Sequence, residues 1–376
     1  MLSEGREPLI WWWQLYAKYL SETLINKHWC EVDLFTRKFV WDDKKSYTKN
    51  EVLQRWKRKV FRVWPTTNFF SILWRLWWLI NVTIFLYKKA KKEKYDIIHA
   101  HALSPWLPAR IVWKLCKIPV VYTVHGTMQM DVNRKGMLYR GEKFFVTKIK
   151  YDLEISVSSR ILKYKNVNKN IKVIYPWLYT KKFEPTHQIK KYPGRQFLFV
   201  GRLDRQKWLE YLIEALKIIG TETLKRHQFM LNIVWDWNLM PKLKQLTTTY
   251  GLEDVITFKW RKVAHEVVEE YRKNSVFILP SLAEGQSIVV FEAFAAKIPV
   301  VVTEAWDNTQ FIKNWENGYI VHSGNSSELA KAIIKMLDAS QEDLDKMWHN
   351  WYMLAKEYDR DKVTDRVYHE YKKLLA

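Results

Sequence analysis

Glycine is scarce in this chain: 11 of 376 residues, where ordinary usage of about 7% would give roughly 26. The backbone therefore has few places where it can take positive φ freely or pass close to a bound phosphate. Cysteine is scarcer. Cys30 and Cys116 are too few and too far apart for a disulfide framework or a thiolate metal site, and they fit a reducing cytoplasm. No His, Cys or carboxylate spacing at a strand end matches a metal-ligand pattern, so neither metal nor cofactor is expected. Met1-Leu-Ser-Glu lacks the basic start and apolar core of a secretory leader. Acidic residues are outnumbered, 40 against 62 Lys and Arg, for a net charge of +22. That balance favours an anionic partner: a nucleotide sugar, a lipid-linked phosphate, a phospholipid surface or nucleic acid.

Tryptophan is plentiful, with 21 copies. Trp11, Trp12, Trp13, Trp208, Trp235, Trp237, Trp260, Trp306 and Trp315 stand where tight turns would want a residue free to take positive φ. Many of them read as occupants of glycine positions.

Short apolar runs alternate with helical patterns along the whole chain, which predicts an α/β fold. At 376 residues the chain has room for two domains. The most informative stretch runs from Ser281 to Pro299. Val276–Pro280 and Val300–Thr303 are apolar runs of the kind that form buried parallel strands. Between them, Glu284-Gly285-Gln286-Ser287 reads as a polar loop and Ile288–Ala296 as a helix. A helix N-terminus suits an anion, and two carboxylates eight residues apart, Glu284 and Glu292, can reach hydroxyls at opposite ends of a ligand. Upstream, the strand Gln196–Val200 leads into Gly201-Arg202 and then Lys207, two cations over one crevice, able to neutralise a diphosphate. Another strand signal, Ile118–Val124, ends in His125-Gly126, where ligands of parallel sheets usually bind. His99 and His101 end the neighbouring strand.

The Glu-Gly and second Glu, followed by small residues and Pro-Val-Val, resemble the donor-site signature of retaining GT-B glycosyltransferases of family 4, the glycosyl transferases group 1. The resemblance covers nearly the whole chain and is strongest from Phe197 to Val321. It implies two Rossmann-like α/β domains facing across a cleft: an acceptor-side domain over 1–185, a nucleotide-sugar-binding domain over 195–345, and helices over 346–376 returning to the first. It implies transfer of a hexose from a nucleoside diphosphate sugar to an acceptor hydroxyl with retained configuration. By that resemblance Glu284 and His125 hold the hexose, with Gly285, Gln286 and Ser287 contributing backbone amides. Arg202 and Lys207 stabilise the departing diphosphate, Glu292 binds the ribose, and the backbone near Trp260 reads the base. The partners implied are the donor, a sugar or lipid-linked acceptor, and an anionic membrane surface, with no nucleic acid. The location implied is cytoplasmic, peripheral on the inner face of the membrane.

The chain departs from that pattern at its start. Only Met1–Ser3 stands for the first strand, and Trp11–Trp13 occupy the loop that the family fills with glycine. Trp208 replaces the glycine expected after Lys207. A catalytically silent scaffold or sugar-nucleotide-binding protein of the same fold therefore stays open as an alternative. A basic nucleic-acid binder does too, although the basic residues gather into no recognised motif. From Arg55 to Lys94 basic and aromatic residues interleave around the apolar run Phe69–Tyr87, which reads as a crossover helix of a parallel sheet. An interfacial helix on anionic lipid is the second reading, and Arg75 weighs against a membrane span.

Overall fold

The computed structural model describes residues 1–3, 12–39, 51–55, 58–67, 72–101, 106–125, 137–183, 192–203, 205–234, 240–260, 262–284, 287–305 and 307–376. The chain divides into two compact units, residues 1–175 with 360–376, and residues 176–359. The segment expected to brace the first domain, 346–376, is shared out. The helix Gln341–Glu357 stays with the second unit, and Arg360–Leu375 joins the first.

The first unit is built on an eight-stranded sheet. Its strands are β1 (Leu2–Ser3), β2 (Val32–Phe39), β3 (Glu51–Arg55), β4 (Arg58–Thr67), β5 (Ile98–His101), β6 (Val120–Val124), β7 (Leu153–Ser156) and β8 (Ile171–Val173). Their order is β3-β4-β2-β1-β5-β6-β7-β8. Only β3 and β4 pair antiparallel; the other described pairings are parallel. The curtailed first strand is present as two residues, hydrogen-bonded between β2 and β5. β5, β6 and β7 are buried throughout, as expected of strands covered by helices on both faces.

Three helices of this unit matter below: α1 (Trp12–His28), α2 (Ile72–Glu93) and α3 (Trp106–Cys116). Of the apolar run at 69–87, residues 72–87 belong to the crossover helix α2 between β4 and β5, and 69–71 lie outside the described residues. Trp78, Val82, Leu86 and Ala90, at helical spacing, are buried in the core together with Val120 and Tyr122 of β6. No helix among the described residues is long and apolar enough to cross a membrane.

The second unit has a six-stranded parallel sheet: β9 (Gln196–Val200), β10 (Met230–Val234), β11 (Ile256–Lys259), β12 (Val276–Leu279), β13 (Val300–Thr303) and β14 (Gly318–Val321). The order is β11-β10-β9-β12-β13-β14. Counting β3–β4 as one position, both sheets start at a central strand, grow outward, then reverse. That is the doubly wound arrangement, and its switch points lie between β1 and β5 and between β9 and β12. Ligands of such sheets bind beyond the carboxyl ends of the strands at the switch. The helix Ser326–Asp338 shows why these segments fold locally. Asn325 caps it by accepting from the Glu328 N–H at 3.0 Å, and Leu329, Ile333, Met336 and Leu337 form its buried stripe. Trp351 is fully buried and stacks on Phe294.

Candidate functional site

In the second unit the switch-point strands deliver opposite charges to one spot. β9 ends at Val200, Gly201 follows, and a turn carries the chain to Lys207. β12 ends at Leu279 and its loop carries Glu284. Lys207 Nζ donates to Glu284 Oε1 at 2.5 Å, with only 13% and 7% of the two side chains exposed. The hydroxyl of Ser281 donates to the same carboxylate oxygen at 2.5 Å. The two loops are also joined through backbone, Leu282 N–H to the Gln206 carbonyl at 2.8 Å. A Cβ on Gly201 would stand in ordinary contact with Lys207 Cε at 3.6 Å but only 3.2 Å from the Phe199 ring, so a larger residue here would press on that ring.

Loops from the next strands close around this pair. The Thr303 hydroxyl, ending β13, donates to the Ser281 carbonyl, and Ser323, beyond β14, donates to it at 3.5 Å. Ser281, Thr303 and Ser323 thus fix the loop that presents Glu284. Sequence reading gave them no role, because lone hydroxyl residues at strand ends carry no distinctive spacing.

Glu292 lies elsewhere. It sits in the helix Ile288–Ala295, is 9% exposed, and accepts from the Tyr271 hydroxyl at 3.1 Å. Burial raises its pKa above the usual carboxylate value, against the lowering effects of Lys182 and the Tyr271 bond. Ser287 is the N-cap of that helix, and its buried hydroxyl has no partner among the described residues. Gly285 and Gln286 lie outside the described residues. Arg202 is exposed just past β9. Trp260, 71% exposed, stands at the end of β11 on a surface pocket of about 530 Å³. That pocket is lined also by Tyr192, Lys259 and Glu270, and none of its lining residues belongs to the Lys207–Glu284 pair.

The tryptophans divide. Trp208 has φ 47°, in the left-handed region, and it caps the helix Leu209–Ile219 without a side-chain hydrogen bond. Its indole packs on Tyr211 at 4.2 Å between ring centroids and fills the space above Gly324. Trp315 has φ 72° and Trp29 φ 57°. Trp12 and Trp13 correct the expectation of a loop: they belong to α1, whose helical backbone needs no positive φ. Trp260 is not among the positive-φ residues either. Trp11, Trp235, Trp237 and Trp306 fall outside the described residues, as does Gly126.

In the first unit, His125 lies just past β6. Its Nε2 is 3.3 Å from His101 Nδ1, and the edge of the Tyr16 ring lies 5.1 Å away, centroid to centroid. Burial lowers its pKa to about 3. His99 and His101 are held well below the usual imidazole value, chiefly by burial.

Comparison with known proteins gives these arrangements their context. The family model "Glycosyltransferase Family 4" matches residues 14–181, and "Glycosyl transferases group 1" matches residues 181–352. The chain is 27% identical over 353 residues to an uncharacterized glycosyltransferase of Methanocaldococcus jannaschii, covering 86% of this chain and 84% of the relative. It is 29% identical over 281 residues to the UDP-Gal:alpha-D-GlcNAc-diphosphoundecaprenol alpha-1,3-galactosyltransferase of Escherichia coli, covering 68% and 70%. In fold it is similar to a sucrose-phosphate synthase of Thermosynechococcus elongatus, with TM-score 0.77 at 18% identity over 99% of this chain and 98% of that one. Anabaena HepE in complex with UDP and glucose has TM-score 0.73 at 17% identity, over 99% and 98%.

Proposed function

From the premise that this chain belongs to the family 4, group 1 glycosyltransferases, retaining enzymes of GT-B fold, we propose that it moves a hexose from a UDP-sugar to the hydroxyl of a lipid-linked sugar acceptor. The observation that carries the donor half is the Lys207–Glu284 pair at the β9/β12 switch point. A buried cation and a carboxylate held in contact are what a nucleoside diphosphate sugar would divide between its two ends. The diphosphate takes the ammonium, and the hexose hydroxyls donate to the carboxylate. As the anomeric bond to the diphosphate oxygen breaks, negative charge grows on that oxygen. Lys207 and the exposed guanidinium of Arg202 stabilise it more in the transition state than in the ground state. Glu292, with one oxygen engaged by Tyr271, keeps the other as an acceptor for a ribose hydroxyl. His125, just past β6, is the residue of the first unit that we assign to a sugar hydroxyl.

The relatives support the donor class. The Escherichia coli relative is named for a UDP-galactose donor and a diphosphoundecaprenol acceptor, and HepE is in complex with UDP and glucose. The test is transfer from UDP-galactose or UDP-glucose to a polyprenyl-diphosphate sugar, followed by mass spectrometry and by proton NMR of the new anomeric bond. A product of inverted configuration, or no UDP release with either donor, overturns the proposal.

A second observation favours work at a membrane. On α2, Trp77, Ile80 and Ile84 form an outward stripe, each at least half exposed. The same stripe continues into Lys88 and Lys91. Ile111 and Leu115 of α3, the helix packed beside it, are exposed too. Apolar side chains followed by lysines on one face suit an anionic lipid surface, where each basic residue adds about 1 kcal/mol. We therefore place the enzyme peripherally on the inner face of the membrane, where a lipid-linked acceptor is presented. Trp77→Asp with Ile84→Asp should abolish co-sedimentation with anionic vesicles and leave the fold intact. Equal binding to neutral and anionic vesicles at moderate salt would remove this part of the reading.

A further inference from the structure

Three imidazoles gather at the carboxyl ends of β5 and β6. His99 and His101 lie two apart on β5, so their side chains share a face of the sheet, and their ring centroids are 4.0 Å apart. The parallel register sets His101 opposite Thr123, which brings His125, two residues further on, to the same end. His99 is committed at both nitrogens. Nδ1 meets the Tyr371 hydroxyl of the helix Arg360–Leu375, and Nε2 meets the Thr123 hydroxyl at 2.6 Å. It is a fixed plate against which His101 packs, the two ring planes 33° apart.

His101 and His125 are committed at one nitrogen each, to one another, Nδ1 to Nε2 at 3.3 Å. Their remaining nitrogens, His101 Nε2 and His125 Nδ1, are buried and have no partner among the described residues. A buried polar atom left unpaired costs about 1–3 kcal/mol. A pair of rings kept for packing alone would not need two.

A neutral imidazole has one N–H and one lone pair, and burial keeps both rings neutral. The contact between them needs one of each. Only two arrangements satisfy it. If His101 Nδ1–H donates, His125 Nδ1 keeps its hydrogen and His101 Nε2 keeps a lone pair. If His125 Nε2–H donates, the two free atoms exchange roles. Either way, one free atom is a donor and the other an acceptor.

We propose that His101 is a positioning residue that sets the tautomer of His125, and so decides whether His125 Nδ1 meets a substrate hydroxyl group as donor or as acceptor. A hydroxyl is itself both donor and acceptor, and it can be matched in either arrangement. A carboxylate or an ammonium could be matched in only one of them. The identification of that hydroxyl as a sugar's rests on the glycosyltransferase reading; the coupling of the two rings does not.

The test is long-range ¹H–¹⁵N NMR of the ligand-free full chain, labelled at its histidine nitrogens. The wild type should show His101 and His125 neutral and in the same tautomer, both Nδ1–H or both Nε2–H. In His101→Leu the tautomer ratio of His125 should shift by about 2- to 10-fold, the equivalent of one net hydrogen bond. His101→Asn, whose amide reaches the Nδ1 position, should keep the wild-type pattern, and His101→Gln, which reaches Nε2 instead, should lose it. The Asn and Gln comparison decides the question even if the Leu variant does not fold. Identical His125 spectra in the Asn and Gln variants overturn the coupling. Titration with UDP-galactose and UDP-glucose follows, and should move the His125 Nδ1 resonance. A complex visible in the amide spectrum that leaves it unmoved overturns the hydroxyl role. Absence of any complex overturns the donor reading and leaves the coupling to stand on the ligand-free spectra.

Discussion

The two units share a strand order but finish their switch-point strands in opposite chemistry. The first ends β5 and β6 in imidazoles that burial keeps neutral. The second ends the β9 and β12 connections in a lysine and a carboxylate that neutralise each other. One scaffold, in one dielectric environment, thus tolerates polar groups in two ways: by discharging them or by pairing them. The difference can be driven by pH. A histidine whose folded pKa lies below its unfolded value contributes stability that is present above about 6.5 and lost as pH falls through the window beneath it.

The largest expected effect uses that sign. Between pH 6.5 and 5.5 the first unit should lose about 1 kcal/mol for each of His99, His101 and His125, the slope steepening towards about 1.4 kcal/mol per pH unit below that. The Lys207–Glu284 pair of the second unit has no such acid-labile imidazole. Hydrogen exchange along the chain should therefore show 1–175 opening before 176–359 as pH falls. Simultaneous opening would erase the distinction.

Next in size is the breaking of the ion pair. Lys207→Ala strands a carboxylate that is 7% exposed and removes a stabiliser of the leaving diphosphate. Turnover should fall by roughly 10²-fold or more, and the thermal midpoint of the second unit should drop with it. Near-wild-type turnover would take Lys207 out of the site.

A smaller effect sharpens the picture of the first unit. Glu154 on β7 is fully buried and accepts from Asn168 at 2.6 Å and Asn166 at 3.2 Å, and burial raises its pKa to about 8. Here the sign reverses. The unfolded chain releases this proton near 4.5 while the folded one holds it, so stability is lost as pH rises towards 8. Glu154→Gln should flatten that loss and leave the first unit more stable at pH 8, by on the order of 2 kcal/mol. A denaturation series at pH 5 and pH 8 measures it; an unchanged pH profile would mean that the carboxyl ionises freely.

The smallest concerns Trp29, 78% exposed and at φ 57° just past α1, a position where helices commonly end in glycine. Trp29→Gly should raise the first unit's stability by up to about 1 kcal/mol, the strain of a left-handed Cβ. A fall in thermal midpoint would show that the indole's contacts outweigh it.

These outcomes bear on what could be read in advance. The strand–loop–helix–strand from Val276 to Thr303 was legible because buried parallel strands are continuous apolar runs, and Ser281–Pro299 carried its turn chemistry locally. Trp208 and Trp315 were legible as residues in glycine's place. Among the described residues, three of the seven non-glycine residues at positive φ are tryptophan, a share that 21 in 376 would not produce by chance. Trp12 and Trp13 misled because a run of indoles has no period of its own, and α1 absorbed them into its first turn. The His101–His125 contact was illegible for a different reason. It depends on the register of β5 against β6, which no local pattern states. Lys207 and Glu284, 77 residues apart, could be named separately from the family resemblance, but their contact with one another could not.

The hydrogen bond between His99 and Tyr371 spans 272 residues of chain. The first unit is therefore not finished when its own strands have left the ribosome. It waits, with β5 uncovered by its last helix, while the whole of 176–359 is made and can fold as an uninterrupted segment. The unit begun first is completed last. Synthesis that stalls shortly before Arg360 would release a finished second unit tethered to an open first one, with apolar surface for a chaperone to hold.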